Sequence, residues 1–184
     1  RRLVTLSYPK YVSGSGTFYG PVGYTVANHA GQTETQGAIA ISGGTSTAAQ
    51  TAHIDETDDD PITAVDTGSA FGSVAKLRTY HYDSSGTLLQ EERAYFAIPS
   101  SEPGTDGTHY DPTLYGYDDM GRRRRVKEAH GTITRTVYDS LGRTTARWIG
   151  TNDSSWPGGE SGTDNMVKVE ETTYDSGGQD GNSL

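Results

Sequence analysis

Between Gly131 and Trp148 the side chains change type at every second position. Ile133, Arg135 and Val137 alternate with Thr132, Thr134, Thr136 and Tyr138, a period of two built from β-branched and aromatic residues, which predicts a β-strand. A turn follows at once. In Asp139-Ser140-Leu141-Gly142 the carboxylate is placed to accept backbone N–H groups, and Gly142 can take the positive φ that a Cβ penalises; a type I turn with a glycine bulge is expected. A return strand runs through Thr144, Ala146 and Trp148, and His130-Gly131 marks the turn at the other end. The reading is a meander of short antiparallel strands.

The same block recurs. Tyr117-Asp118-Asp119-Met120-Gly121-Arg122 returns 21 positions later as Tyr138-Asp139-Ser140-Leu141-Gly142-Arg143. Tyr82-Asp83-Ser84-Ser85-Gly86 and Tyr174-Asp175-Ser176-Gly177-Gly178 are two further copies, displaced by one period plus an insertion. Both insertions, at about 98–111 and 151–165, are rich in Gly, Ser, Thr, Asp and Pro. A repeat of this length implies stacked units that bury a continuous core only together. In each copy the Tyr, Asp and Gly, with Arg122 and Arg143, are read as structural turn residues and not as catalytic groups. Asn28-His29-Ala30-Gly31-Gln32 reads as a decayed copy with Ala27 in the tyrosine position. Leu88 to Ala94 has helical propensity, but it occupies the slot after a turn that other copies fill with strand, so strand is expected there.

These residues resemble the RHS or YD-repeat family, which takes its name from the Tyr-Asp motif. The likeness covers roughly Leu77 to the C-terminus. The run from Gly131 to Arg143, followed by Trp148-Ile149-Gly150-Thr151-Asn152-Asp153, is similar to large secreted RHS proteins in particular. The resemblance implies an extracellular or cell-surface setting and a long β-sheet coiled into a shell or cocoon, whose repeats are wall. It implies also that any activity usually lies elsewhere. Gly178 is followed by Gln179 where the motif prefers Arg, so the last copy departs from the pattern. The fold expected is all-β, with repeated antiparallel hairpins forming a continuous twisted or coiled sheet, shell- or solenoid-like. Residues 1–70 are read as a degenerate Gly/Ser/Thr-rich β region with a long acidic loop, and residues 71–184 as four hairpin repeats.

Composition narrows the function. Hydrophobic residues make up only 32% of the chain, while Thr, Gly and Tyr are abundant, which suits sheets with many tight turns. A formal net charge of −9 opposes general binding to nucleic acid or anionic membranes. There is no cysteine, hence no disulfide or thiolate metal site, and no apolar run near 18 residues that would span a membrane. The sequence opens Arg1-Arg2-Leu3 without an initiator Met and closes soon after a repeat motif, so a segment of a longer polypeptide is expected.

Candidate chemistry is sparse. The acidic run at 55–60 offers oxygen ligands for Ca²⁺ but lacks the EF-hand spacing, and a solvated loop is the preferred reading. Arg122-Arg123-Arg124-Arg125 with Lys127 concentrates positive charge; alternation on a strand should divide it between two faces. Arg123 and Arg125 are candidate contacts to a sulfated or uronic polysaccharide, against the alternative that the arginines pair with Asp118, Asp119 and Glu128 and stack on tyrosines. Trp148 is read as core, and Trp156 as an exposed candidate for stacking a sugar. The five histidines show no metal-ligand spacing, and no nucleophile elbow or cysteine nucleophile is present. No catalytic residue, metal or cofactor is assigned. The expected partners are neighbouring repeats of the same polypeptide or identical subunits joined by strand pairing, with a polysaccharide as the further candidate.

Overall fold

A computed structural model describes residues 3–7, 11–12, 17–18, 21–41, 53–54, 65–66, 71–99, 104–154 and 165–174. They form fourteen strands: β1 (Leu3–Ser7), β2 (Tyr11–Val12), β3 (Thr17–Phe18), β4 (Val22–Ala27), β5 (Thr33–Ile41), β6 (His53–Ile54), β7 (Val65–Asp66), β8 (Phe71–Tyr82), β9 (Leu89–Tyr95), β10 (Tyr110–Tyr117), β11 (Arg123–Lys127), β12 (Ile133–Tyr138), β13 (Thr144–Gly150) and β14 (Val167–Glu171). Among the described residues there is no helix, and none long and apolar enough to cross a membrane. The protein is all-β, with antiparallel ladders. The Leu88 to Ala94 segment is strand β9: pairing with β8, from Arg78↔Ala94 to Tyr82↔Leu89, outweighs its local propensity.

The chain divides into two compact units, Arg1–Thr113 and Leu114–Leu184, with the division inside β10. In the first, β4 lies between β1 and β5, and β8 between β5 and β9. The pairs β2–β3 and β6–β7 are two-residue ladders. The change of composition near residue 70 falls in the β5–β8 connection, and pairing from Thr35↔Thr79 to Ile41↔Phe71 joins the strands on either side of it. In the second unit β10, β11, β12, β13 and β14 follow one another as an antiparallel meander.

Each unit buries one face. In the first, Tyr24 and Val26 of β4 lie opposite Gly37 and Thr35 of β5, which lie opposite Leu77 and Thr79 of β8. All of these but Gly37 are buried, together with Ile39. The Tyr24 ring fills the space over Gly37: a Cβ there would stand 2.5 Å from the ring and 2.6 Å from the Lys76 carbonyl oxygen. Burial pushes the Tyr24 phenol above its ordinary pKa.

In the second unit the buried cluster is Ile133, Ala146, Trp148 and Met166, with Val137 packed against it. Each large apolar side chain removed from water contributes about 1.5–3 kcal/mol. Trp148 is therefore core, as its place in an alternating strand predicts. Met166 comes from the β13–β14 connection, which lies so close to Gly150 that a Cβ there would meet the Met166 Sδ at 2.6 Å.

Candidate functional site

The repeated turn is closed by the side chain that begins it. Asp118 Oδ1 accepts the N–H of Met120 (3.0 Å) and of Arg122 (2.9 Å), and Asp139 Oδ1 accepts those of Leu141 (2.9 Å) and Arg143 (2.8 Å). Gly121 and Gly142 take φ of 75° and 82°. Asn28 builds the same turn, with Oδ1 accepting from Ala30 and Gln32 (both 2.9 Å) and Gly31 at φ 81°. The copy at Asp83 is one residue longer: its carboxylate accepts from Thr87 and Leu88, and the Asp83 N–H donates to the Leu88 carbonyl.

The Leu88 N–H, Ser85 hydroxyl and Thr87 N–H hold the Asp83 carboxyl below the ordinary carboxylate range. At Asp118 and Asp139 desolvation works to raise the carboxyl, and the N–H groups and guanidinium of Arg122 and Arg143 outweigh it, so both are lowered. These carboxylates are held ionised as acceptors within their turns.

A second set of contacts runs from the turns at Asn28, Asp118 and Asp139 to the tyrosine of the next copy. Arg122 Nε donates to Asp118 Oδ2 (2.7 Å), and the same guanidinium lies 4.7 Å from the Tyr138 ring centroid. Tyr138 Oη donates to the carbonyl of Arg123 (3.0 Å), two residues past Gly121. One period on, Arg143 Nε donates to Asp139 Oδ2 (2.7 Å) and its guanidinium lies 4.2 Å over Tyr174, whose Oη donates to the Thr144 carbonyl (2.9 Å), two residues past Gly142. Tyr82 Oη reaches Thr33, two residues past Gly31, in the same way (2.8 Å). The motif Tyr, Asp, Gly and Arg is thus a staple: aspartate holds arginine, arginine covers the next tyrosine, and that tyrosine returns to the backbone of the earlier hairpin.

The arginine run separates by partner. Arg122 belongs to the staple. Arg125 Nε and Nη2 donate to Asp153 (2.7 and 3.1 Å), and Arg135, its cross-strand partner, donates to the same carboxylate through Nε (2.7 Å). Arg135 and Asp153 are 6% and 9% exposed, so this is a buried triad carrying one excess positive charge. Burial raises the Asp153 carboxyl, but hydrogen bonds from Arg125 and Arg135 more than offset this and hold it low; burial pushes Arg135 below its ordinary value.

Arg123 is exposed, with its guanidinium 5.4 Å over the Tyr115 ring. Of the two candidate polysaccharide contacts, Arg125 is engaged in the triad and Arg123 is on the surface. Trp156, Asp175, Gly178 and the acidic run at 55–60 lie outside the described residues.

Asp153 is held from behind. Asn165 Oδ1 accepts the N–H groups of Thr151 and Asn152 (both 2.9 Å), and its Nδ2 donates to Thr151 Oγ1 (2.7 Å), closing the neck of the β13–β14 connection. Asn165 does so at φ 133°, a conformation that costs on the order of 1–3 kcal/mol.

The first unit carries its own polar cluster. Arg93 makes a two-pronged pair with Glu91 (3.0 Å each) and lies 4.9 Å over Tyr110, while His81 Nε2 is 3.1 Å from Thr79 Oγ1. Burial and the nearby Arg93 lower the His81 pKa, against the opposing pull of Glu91 and Glu34.

Asp153 and Arg135 are the residues that local pattern did not single out, because the carboxylate stands 28 positions from Arg125 and 18 from Arg135. Among the described residues no group of three or more His, Cys, Asp or Glu is arranged to hold a metal ion. No family model matches the chain, and no curated protein matches it.

Proposed function

We propose that this chain is a stretch of repeat wall: a structural segment of a large extracellular or cell-surface protein of the RHS or YD-repeat type, in which successive hairpins extend one coiled sheet as shell, scaffold or filament. The observation that carries the reading is the recurrence of the tyrosine-to-backbone bond, on Tyr82, Tyr138 and Tyr174, at the same offset from the preceding turn, with the full arginine staple at Tyr138 and Tyr174. A recurring connection from one hairpin back to an earlier one is what a repeat array requires, because each unit draws its stability from its neighbour. The reading is non-enzymatic. The recurring aspartates are occupied in turns, whereas a catalytic acid depends on one special environment. Neighbouring repeats, or identical subunits paired strand to strand, are the partners it implies.

Duplication of one period tests this. Residues 118–138 inserted again after Tyr138 add one hairpin step with its own staple. A wall segment accepts the insertion and unfolds at a higher urea midpoint with a larger m-value, since more surface is buried. A closed domain has no place for a further period, and loss of cooperative unfolding on insertion would overturn the proposal.

A further inference from the structure

The arginine run is not divided evenly between faces. Tyr117 pairs with Arg123 and Gly116 with Arg125, so the register shift leaves Arg124 as the extra residue of a bulge. Arg125 is turned to the buried face by Asp153. Arg124 and Val126 take the other face, where Val126 lies opposite Thr134. On the next strand Arg147 lies opposite Thr136, on that same face, and is exposed. Arg123 reaches this face too, stacked over Tyr115, whose partner is Val126.

Three guanidinium groups therefore share one face, with Thr134 and Thr136 between them. Arg124 and Arg147 stand about two strand spacings apart, roughly 10 Å. Among the described residues none of the three makes an ion pair, although Glu170 is the cross-strand partner of Arg147.

We infer that the face formed by Arg123, Arg124, Arg147, Tyr115, Thr134 and Thr136 binds a linear anionic polysaccharide bearing sulfate or uronate groups. Guanidinium forks match sulfate and carboxylate oxygens in a two-pronged geometry. Threonine hydroxyls donate to and accept from sugar hydroxyls, and the Tyr115 ring offers an amphipathic surface at one end. The occupant follows from charge complementarity. The patch is cationic within a chain of net charge −9, so its attraction is local, and the threonine hydroxyls between the guanidinium groups suit a ligand that carries sugar hydroxyls between its anionic groups. This inference is independent of the wall reading; it assigns a ligand to one face of the second unit whatever the chain builds.

Retention of the full 184-residue chain on immobilised heparin, a sulfated and uronate-bearing polysaccharide, provides the test. The chain should be retained at low ionic strength and released by salt. The double variant Arg124→Ser/Arg147→Ser should bind roughly tenfold more weakly or worse, a shift readily measured by titration, with an unchanged circular dichroism melt. Arg124→Lys/Arg147→Lys, which keeps the charge but not the fork, should fall between. Lys76→Ser removes an exposed charge in the first unit and should change little. Absence of retention overturns the inference, as does an equal loss in Lys76→Ser. Duplex DNA competing as well as heparin also overturns it, since the patch would then be a site for any polyanion.

Discussion

Removing the Asp153 carboxylate should strip the second unit of a large part of its stability. Asp153→Ala leaves two guanidinium groups facing each other, that of Arg135 with a side-chain exposure of 7% and that of Arg125 with 22%. At an effective dielectric near 20, opposite charges about 4 Å apart attract by about 4 kcal/mol per pair. Mutual repulsion of the arginines and desolvation of three ions offset much of this. Breaking a buried pair costs about 3–5 kcal/mol, and the partial exposure of Arg125 places the loss near 3 kcal/mol. A unit of about 70 residues is stable by about 4–10 kcal/mol, so the variant should retain about 1–7 kcal/mol and unfold at a clearly lower urea midpoint. Urea unfolding of the full chain, read through tryptophan fluorescence, measures the change, because Trp148 packs in the same core. Asp153→Leu with Arg135→Met should regain most of the loss, since apolar replacement of buried ions is often neutral. The pH dependence has a definite sign. The folded-state pKa of Asp153 is depressed, so its contribution is full above the ordinary carboxylate range near pH 4 and disappears as pH falls through the folded value. An Asp153→Ala variant within about 0.5 kcal/mol of the parent, the usual range of exposed-site changes, would refute the buried-triad reasoning.

Asp139→Asn should melt above Asp139→Ala and below the parent, because Asn retains the Oδ1 acceptor that Asn28 uses but loses the ionic hold on Arg143; equal melting of the two variants in a thermal scan would argue against the staple. Tyr138→Phe removes the bond to the Arg123 carbonyl while leaving the ring under Arg122, and should cost about 1 kcal/mol in urea titration. Gly150→Ala sets a Cβ 2.6 Å from Met166 Sδ and 2.8 Å from the Asn165 carbonyl oxygen, and should destabilise by about 1–3 kcal/mol by the same assay. His81, whose pKa is lowered in the fold, favours the neutral ring; stability should decline as pH falls below about 6.5, and His81→Gln should flatten that part of the profile.

What the sequence carries legibly is what is settled within five residues. An acceptor side chain followed three positions later by glycine defines the turn whether the acceptor is Asp118, Asp139 or Asn28, because its hydrogen bonds are local. The pairing of Arg122 with Asp118 belongs to the same class, whereas its stacking on Tyr138 joins successive copies and is legible only through the repeat. The longer turn at Asp83 closes on Leu88 instead of the residue after the glycine, a difference that the shared Tyr-Asp-x-x-Gly spelling conceals. The site is less legible. Simple alternation assigns Arg123 and Arg124 to opposite faces, and a bulge reverses this for one of them. Asp153 lies in an insertion with no periodicity of its own; only the folded connection brings it against Arg125 and Arg135.

The Asn165 closure ties the two ends of the β13–β14 connection to each other. Its three hydrogen bonds involve only Thr151, Asn152 and Asn165 itself, so the gate is built from its own posts. Lengthening a loop is thermodynamically mild, about 0.6 kcal/mol for each doubling. Insertion at this position should therefore be mild in its cost, with Asp153, just inside the gate, keeping its grip on the sheet.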